Sequence, residues 1–270
     1  VFFKDAIRIS FHQTDPEEEY TLTQYLYRPS ELVRGVKPLD FMSCRRIEFA
    51  PNDKCVIDTG GDEVAFVVIS GEIDFVCGQA RGTAHFKDML YVPWHSHIEL
   101  RTPHQAVVMQ VNSPSDRATQ FAHIAYSEVA QDPARHKVFG TNETASLRDV
   151  YMFIDDKFPA ARLLMGICEG SPGSWTSWPP HEHARDREEL YVYFDMGKSF
   201  SIQCVYENLD EPLFCGFVRD GDLIAVPKGF HPNVSSPAGR ITYFYAMAAR
   251  VAGKREFMQL NIQDGFGELK

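Results

Sequence analysis

Two histidines one residue apart, His181 and His183, stand in the stretch Pro179-Pro-His181-Glu-His183-Ala-Arg-Asp-Arg-Glu188-Glu189-Leu-Tyr-Val. In an extended strand residues two apart share a face, so the two imidazoles point the same way and form a chelating pair. After the short turn Ala-Arg-Asp-Arg, Glu189 opens the next strand with Tyr191 and Tyr193 on its face. An antiparallel hairpin would swing its carboxylate back toward the imidazoles. About forty residues later in the sequence, Pro227-Lys-Gly229-Phe-His231 places another histidine just after a turn. A barrel sets such a turn at its rim, where His231 completes three imidazoles and one carboxylate with open positions. The expected cofactor is therefore one divalent metal ion held by His181, His183, Glu189 and His231. Zn, Mn, Fe and Ni all accept this donor set, so the sequence does not choose among them.

The elements that must position these ligands read as strands. Apolar residues alternate or run in short β-rich blocks at 63–70, 189–194, 240–247 and 257–262. Gly and Pro turns punctuate them at 51–53, 70–72, 171–174, 220–222 and 227–229, which is the pattern of an all-β protein with few, short helices. The chain also repeats itself. Glu63-Val-Ala-Phe-Val-Val-Ile-Ser-Gly71 is echoed by Glu189-Leu-Tyr-Val-Tyr-Phe-Asp-Met-Gly197, and Asp88-Met-Leu-Tyr-Val-Pro93 by Asp222-Leu-Ile-Ala-Val-Pro227, in the same order. The economical reading is two homologous β domains in tandem, at 1–135 and 145–270. The polar stretch 129–150, broken by Pro133 and Gly140, suits the connector. On this alignment Glu63 is the partner of Glu189 and has no HxH upstream. His95 and His97 follow the Tyr-Val-Pro element and so belong to no such motif. The first domain is expected to carry no metal and to support folding or assembly.

Composition narrows the partners. The chain has 270 residues, 44% apolar and 24% charged, which is ordinary globular usage with ample core. Lys plus Arg number 27 against 37 Asp plus Glu, a net charge of -10, the wrong sign for a nucleic-acid backbone or an anionic leaflet. The longest apolar runs fall far short of the ~20 residues that span a bilayer. The first twenty residues carry an acidic cluster and no sustained apolar segment, so a cytoplasmic location is expected. Cys44, Cys55, Cys77, Cys168, Cys204 and Cys215 are scattered without a CxxC and read as buried thiols rather than a disulfide framework.

The ligand spacing resembles the two metal motifs of the cupin superfamily, G-x5-HxH-x3/4-E-x6-G and G-x5-P-x-G-x2-H, and so implies two tandem cupin barrels of the double-stranded β-helix, or jelly-roll, type. Gly221, Pro227 and Gly229 fit the second motif directly. The departures are Gly173, which precedes His181 by two residues more than usual, the five residues between His183 and Glu189, and the single Phe230 before His231. Glu188 would restore the common spacing, but Glu189 has the hydrophobic strand directly behind it. Pro172-Gly-Ser-Trp175-Thr-Ser-Trp-Pro179-Pro-His181-Glu-His183 and Asp220-Gly-Asp-Leu-Ile-Ala-Val-Pro227-Lys-Gly-Phe230-His231-Pro232 are similar to the 5-deoxy-glucuronate isomerase family of inositol catabolism. Leu164-Met-Gly166, Glu189-Leu-Tyr-Val-Tyr-Phe-Asp-Met196 and the compact His183–Glu189 link resemble its relative, the 5-keto-4-deoxyuronate isomerase of pectin breakdown. The likeness spans residues 35–265.

That resemblance implies a metal-dependent aldose–ketose isomerase taking a small deoxy-uronate as its substrate. A cation must then meet the oxyanion that develops as a proton moves between adjacent carbons. Tyr191 or Tyr193 is the expected proton carrier, with aromatic packing as the plain alternative. Lys228 beside His231, or Arg185 or Arg187 in the turn, is expected to meet the uronate carboxylate. Trp175 and Trp178 flank the approach to the ligand strand, and Trp175 is expected to contact the sugar, with covering the barrel mouth as the plain alternative. The rival classes are an Fe(II) cupin dioxygenase, which would consume oxygen, and a sugar-acid-binding module without turnover. Barrel edges and an acidic surface permit a homo-oligomer.

Overall fold

The computed structural model describes residues 25–183 and 185–267. Among them the helices are few and short, Pro29–Leu32 and Tyr126–Gln131, and the rest of the regular structure is strand. Among the described residues no helix is long and apolar enough to cross a membrane. In the first barrel a five-stranded sheet, built on the central strands Asp62–Ser70 and Ala106–Pro114, faces a four-stranded sheet containing Ile73–Cys77 and His97–Arg101. In the second, a seven-stranded sheet holding Leu163–Gly170, Arg187–Tyr193, Leu223–Val226 and Ile241–Ala249 faces the four-stranded sheet of Trp175–Thr176, Ser201–Val205, Phe214–Val218 and Asn233–Ser235.

The continuous apolar runs have a direct cause: the two large sheets are covered on both faces. Along Asp62–Ser70, Val64, Phe66 and Val68 fill the first barrel, while Ala65, Val67 and Ile69 turn outward. Those outward residues pack with Leu190, Val192, Phe244 and Ala246 of the second barrel in one shared core. In the second barrel Tyr191, Tyr193, Tyr243 and Tyr245 take the inward positions. Burial of each Val or Leu side chain contributes about 1.5–3 kcal/mol, so the sheet-to-sheet layer binds the barrels as one body.

The repeat is structural, but its register differs from the sequence alignment by one residue. Asp88 and Asp222 do correspond: each accepts the backbone N–H three residues upstream, from His85 at 2.9 Å and from Arg219 at 2.8 Å. Four residues after each aspartate, Val92 pairs with Val64, whereas Val226 pairs with Glu189. Val64 therefore occupies the place of Glu189, and the counterpart of Glu63 is Glu188. Both of these glutamates face the layer between barrels, and each holds backbone of the other repeat. Glu63 accepts from Ala161 and Arg162 N–H at 2.7 Å and from Leu163 at 2.9 Å. Glu188 accepts from Phe41 at 2.7 Å and Asp40 at 3.1 Å.

Three further expectations are revised. Residues 129–150 are not merely a connector: His136–Phe139 and Arg148–Ile154 form the outer strands of the second barrel's large sheet. Leu26–Tyr27, inside the span assigned to the first domain, pairs with Leu223–Val226 of the second. The cysteines are not all buried. Cys44, Cys77 and Cys168 are, but Cys55 and Cys204 are partly exposed and Cys215 is exposed, because the strands bearing them lie in the outer four-stranded sheets with one face toward solvent.

Candidate metal centre

The histidine pair lies within the second barrel's part of the chain, between the strands Trp175–Thr176 and Arg187–Tyr193. His181–Glu182 forms a short ladder with Asn261–Ile262, pairing His181 with Ile262. The chain then reverses through a turn closed by Arg187 N–H donating to His183 C=O at 2.8 Å. The strand Arg187–Tyr193 carries Glu189 back across the same space, and its Oε2 lies 2.9 Å from His183 Nε2. His231 arrives from the opposite side after Gly229, whose φ of +91° is one that a side chain rarely adopts. A Cβ on Gly229 would also stand 2.7 Å from the Tyr206 carbonyl oxygen, so the motif needs glycine for both turn and clearance. His231 Nε2 ends 3.0 Å from the same Glu189 oxygen. Potential ligand atoms of His181, His183 and His231 all lie within 4.8 Å of one another. The four residues named from their spacing are together.

The protons in this cluster leave a place for a cation. His231 Nδ1 lies 2.8 Å from the Gly229 carbonyl and His181 Nδ1 lies 2.9 Å from the Pro179 carbonyl. A carbonyl only accepts, so both Nδ1 atoms carry the proton and a neutral ring leaves Nε2 as a bare lone pair. His231 Nε2 is buried without a hydrogen-bond partner although it faces the Glu189 carboxylate. Two acceptors set against each other repel unless a positive centre lies between them. His183 Nδ1 is likewise buried and unpartnered. Burial, together with the neighbouring His231 and His183, pushes His181 down to about 3, which keeps the ring uncharged and free to ligate near neutrality. Burial pushes Glu189 up, but the adjacent His183 and His231 outweigh it and hold the carboxyl well below the usual carboxylate range. Three imidazoles and one carboxylate gathered in this way suit a divalent ion.

The cavity beside this cluster is lined by His181, His183, Glu189, Tyr191, Tyr245 and Arg148, among others. Tyr191 is thus in the wall, its hydroxyl 3.1 Å from Ser177 Oγ. Tyr193 is not. Its hydroxyl donates to Gln203 Oε1 at 2.5 Å and accepts from Asn233 at 3.2 Å in a separate buried network, which removes it from the proton-carrier role. Arg187 is also corrected: its buried guanidinium holds the Glu256 and Gln259 carbonyls, so it braces the 256–259 segment. Lys228 is half-exposed and paired with Glu207 at 2.6 Å. Arg185 is exposed, and Trp175 packs on Trp178 with centroids 5.1 Å apart; neither lines the cavity. His95 and His97 are exposed on the first barrel, whose interior is filled by Val64, Phe66, Phe75 and their neighbours.

Sequence reading missed Arg148 and Tyr245. The signal for Tyr245 was present as Gly166: the two residues are cross-strand partners, and a Cβ at 166 would lie 2.2 Å from the Tyr245 hydroxyl and 2.3 Å from the Tyr151 carbonyl oxygen. The absent side chain is what lets the tyrosine lie over its neighbour. Its hydroxyl is buried with no hydrogen-bond partner. Gly166→Ala is expected to displace Tyr245 and lower stability by about 1–3 kcal/mol, the usual cost of overpacking, read as a lower melting temperature; an unchanged melt would contradict this packing.

A model of the KduI/IolB family matches residues 30–263. The chain belongs to that family. Among KduI/IolB relatives, it is 23% identical over 249 residues to a Bacillus subtilis strain 168 protein named 5-deoxy-glucuronate isomerase, a match covering 84% of this chain and 88% of that one. A Geobacillus kaustophilus protein of the same name is 34% identical over 113 residues, which is 38% of this chain and 40% of the relative's length. The crystal structure of an IolB-like protein from Salmonella typhimurium LT2 superposes with a TM-score of 0.78 at 16% identity, covering 90% of this chain and 98% of that one. At that identity the likeness shows the fold, a pair of cupin barrels.

Proposed function

We propose that this KduI/IolB chain is a metal-dependent aldose–ketose isomerase that converts 5-deoxy-D-glucuronate to 5-dehydro-2-deoxy-D-gluconate. The observation that carries the reading is the convergence of His181, His183 and His231, with Glu189 against the last two, beside a cavity. The name borne by the Bacillus and Geobacillus relatives supports the substrate.

The reaction moves the C2 proton to C1 and the O2 proton to O1, so the aldehyde becomes an alcohol and the alcohol a ketone. When bound, a divalent ion supplies a Lewis acid that offsets the negative charge gathering on the two oxygens. His181 and His231 would hold it through Nε2, each fixed by its Nδ1–H on a backbone carbonyl. Glu189 and His183 complete the set. Tyr191, set in the wall with its ring 5.9 Å from that of His231, donates its hydroxyl proton as a hydrogen bond to a substrate oxygen. The apolar remainder of the wall, including Met247, Phe257 and Leu260, limits water around the reacting carbons.

Incubating metal-loaded protein with 5-deoxy-D-glucuronate and following the C1 and C2 carbons by NMR tests this. Loss of the aldehyde signal with growth of a ketone is expected. Turnover of 5-keto-4-deoxyuronate alone would move the chain to the pectin-type reaction, and no turnover of either uronate by metal-bound protein would end the reading. Tyr191→Phe is expected to keep its metal and lose about 100-fold in kcat; undiminished kcat would remove Tyr191 from the chemistry.

A further inference from the structure

Arg148 is a buried cation without an anion. It is 5% exposed and sits at the start of the strand Arg148–Ile154. Two of its five N–H donors are used on backbone carbonyls, one on Ser146 at 2.9 Å and one on Trp178. Its guanidinium lies over the Phe139 ring, 5.4 Å from the centroid. Among the described residues no carboxylate lies within ion-pairing distance of it. The neighbouring Asp149 points to the other face of the strand, where it meets His136 Nε2 at 2.7 Å. A charge withdrawn from water and left unpaired is costly, and proteins rarely keep one without use.

Its place in the molecule indicates the use. Arg148 lies between two cavities: it borders a cleft with Ser146 and Trp178, whose carbonyls it holds, and among the described residues it is the one cation lining the cavity of His181, His183 and Glu189. The three cations expected from the sequence, Lys228, Arg185 and Arg187, all lie outside that lining. A guanidinium presents its donors in a flat fork matched to a carboxylate, and the two carbonyls hold this fork in place before any ligand arrives.

We infer that Arg148 is the anion-recognition residue of the cavity and selects substrates bearing a carboxylate, by a forked pair with that group while the other end of the molecule reaches the His181–His183–His231–Glu189 cluster. This rests on the isomerase reading for the identity of the uronate, but not for the selection of a carboxylate. Arg148 was hidden in sequence because it stands in the polar stretch between repeats.

Binding, rather than turnover, is therefore the test. Zinc-loaded protein is titrated by calorimetry with 5-deoxy-D-glucuronate and with 5-deoxy-D-glucose, in which a hydroxymethyl group replaces the carboxylate. The wild-type chain is expected to bind the uronate at least about 30-fold more tightly. Arg148→Gln is expected to lose that preference while its zinc content and its affinity for the neutral sugar stay as they were, a split that a bracing role alone would not produce. If the glutamine variant fails to fold because Ser146 and Trp178 lose their donor, Arg148→Lys keeps one there, and the preference should fall by about tenfold as the fork is lost. A wild-type chain indifferent to the carboxylate, or an unaltered preference in the folded Gln or the Lys variant, overturns the inference. Uronate binding that depends on Arg148 without isomerisation would instead sink the proposed reaction and leave this assignment standing.

Discussion

His231→Ala is expected to release the metal and abolish turnover. Its Nε2 lies 3.0 Å from Glu189 Oε2 and is buried with no hydrogen to give, so in the loaded site that nitrogen has a cation as its natural partner. Loss of a residue that merely orients a ligand weakens metal affinity by about 10–100-fold, and loss of a ligand itself should exceed that. Elemental analysis after dialysis reads the metal, and circular dichroism reads the fold. His181→Ala should behave alike, because it removes the other lone pair freed by a backbone carbonyl. His95→Ala and His97→Ala supply the contrast: both residues form an HxH, but both are exposed on the first barrel, and neither change should alter metal content. Metal should also raise the melting temperature of the wild-type chain, by about 2.7 kcal/mol of stability at a hundredfold excess over Kd, and should do so far less in His231→Ala. Retention of metal and turnover in both site variants would dismiss the centre.

The ligands were legible because each is tied to a local constraint. His181 and His183 stand one residue apart at the short strand His181–Glu182 and the turn that follows it, and His231 follows a turn that Gly229 must make with a positive φ. The strands Arg187–Tyr193 and Ile241–Ala249 were legible for a similar reason, since a sheet covered on both sides writes itself as an unbroken apolar run. Beyond those ligands and Tyr191, the walls of the cavity were not. Tyr245 meets Gly166 and Tyr191 only through cross-strand pairing, and Arg148 reaches the cavity from a strand whose exposed neighbours Lys137 and Val138 look like linker. The adjacent pair Glu188-Glu189 could not be aligned to Glu63 by residue type. Only the ladders of Val64 with Val92 and of Glu189 with Val226 decide which glutamate faces the histidine cluster and which faces the other barrel.

That distinction gives the second large effect. Glu63 is fully buried, and its two oxygens accept from four donors: Oε1 from the Arg162 and Leu163 N–H groups, Oε2 from Ala161 N–H and the Tyr91 hydroxyl. In Glu63→Gln one oxygen becomes an NH2 group, which accepts nothing: at the Oε1 position it strands the Arg162 and Leu163 N–H groups, and at the Oε2 position it strands Ala161 N–H and forces the Tyr91 hydroxyl to turn its proton to Thr119 Oγ1, 3.0 Å away. Each buried donor left unmade costs about 1–3 kcal/mol, a large part of the about 5–15 kcal/mol that holds an ordinary domain together. A fall in melting temperature of the order of 10 °C is expected. Glu188→Gln should cost less, because its two oxygens accept only one backbone N–H each, from Phe41 and Asp40, and a single donor is stranded. The consequence of Glu63→Gln should extend to the other barrel, since residues 161–163 lead into the strand Leu163–Gly170 that carries Gly166 beneath Tyr245 and Cys168 in the cavity wall. Hydrogen exchange should therefore rise along Leu163–Gly170 more than along Ser201–Val205, which lies in the opposite sheet. A Glu63→Gln protein that melts within about 2 °C of wild type, well inside the shift expected for a single stranded donor, would mean that the three backbone bonds from residues 161–163 do not tie the repeats together.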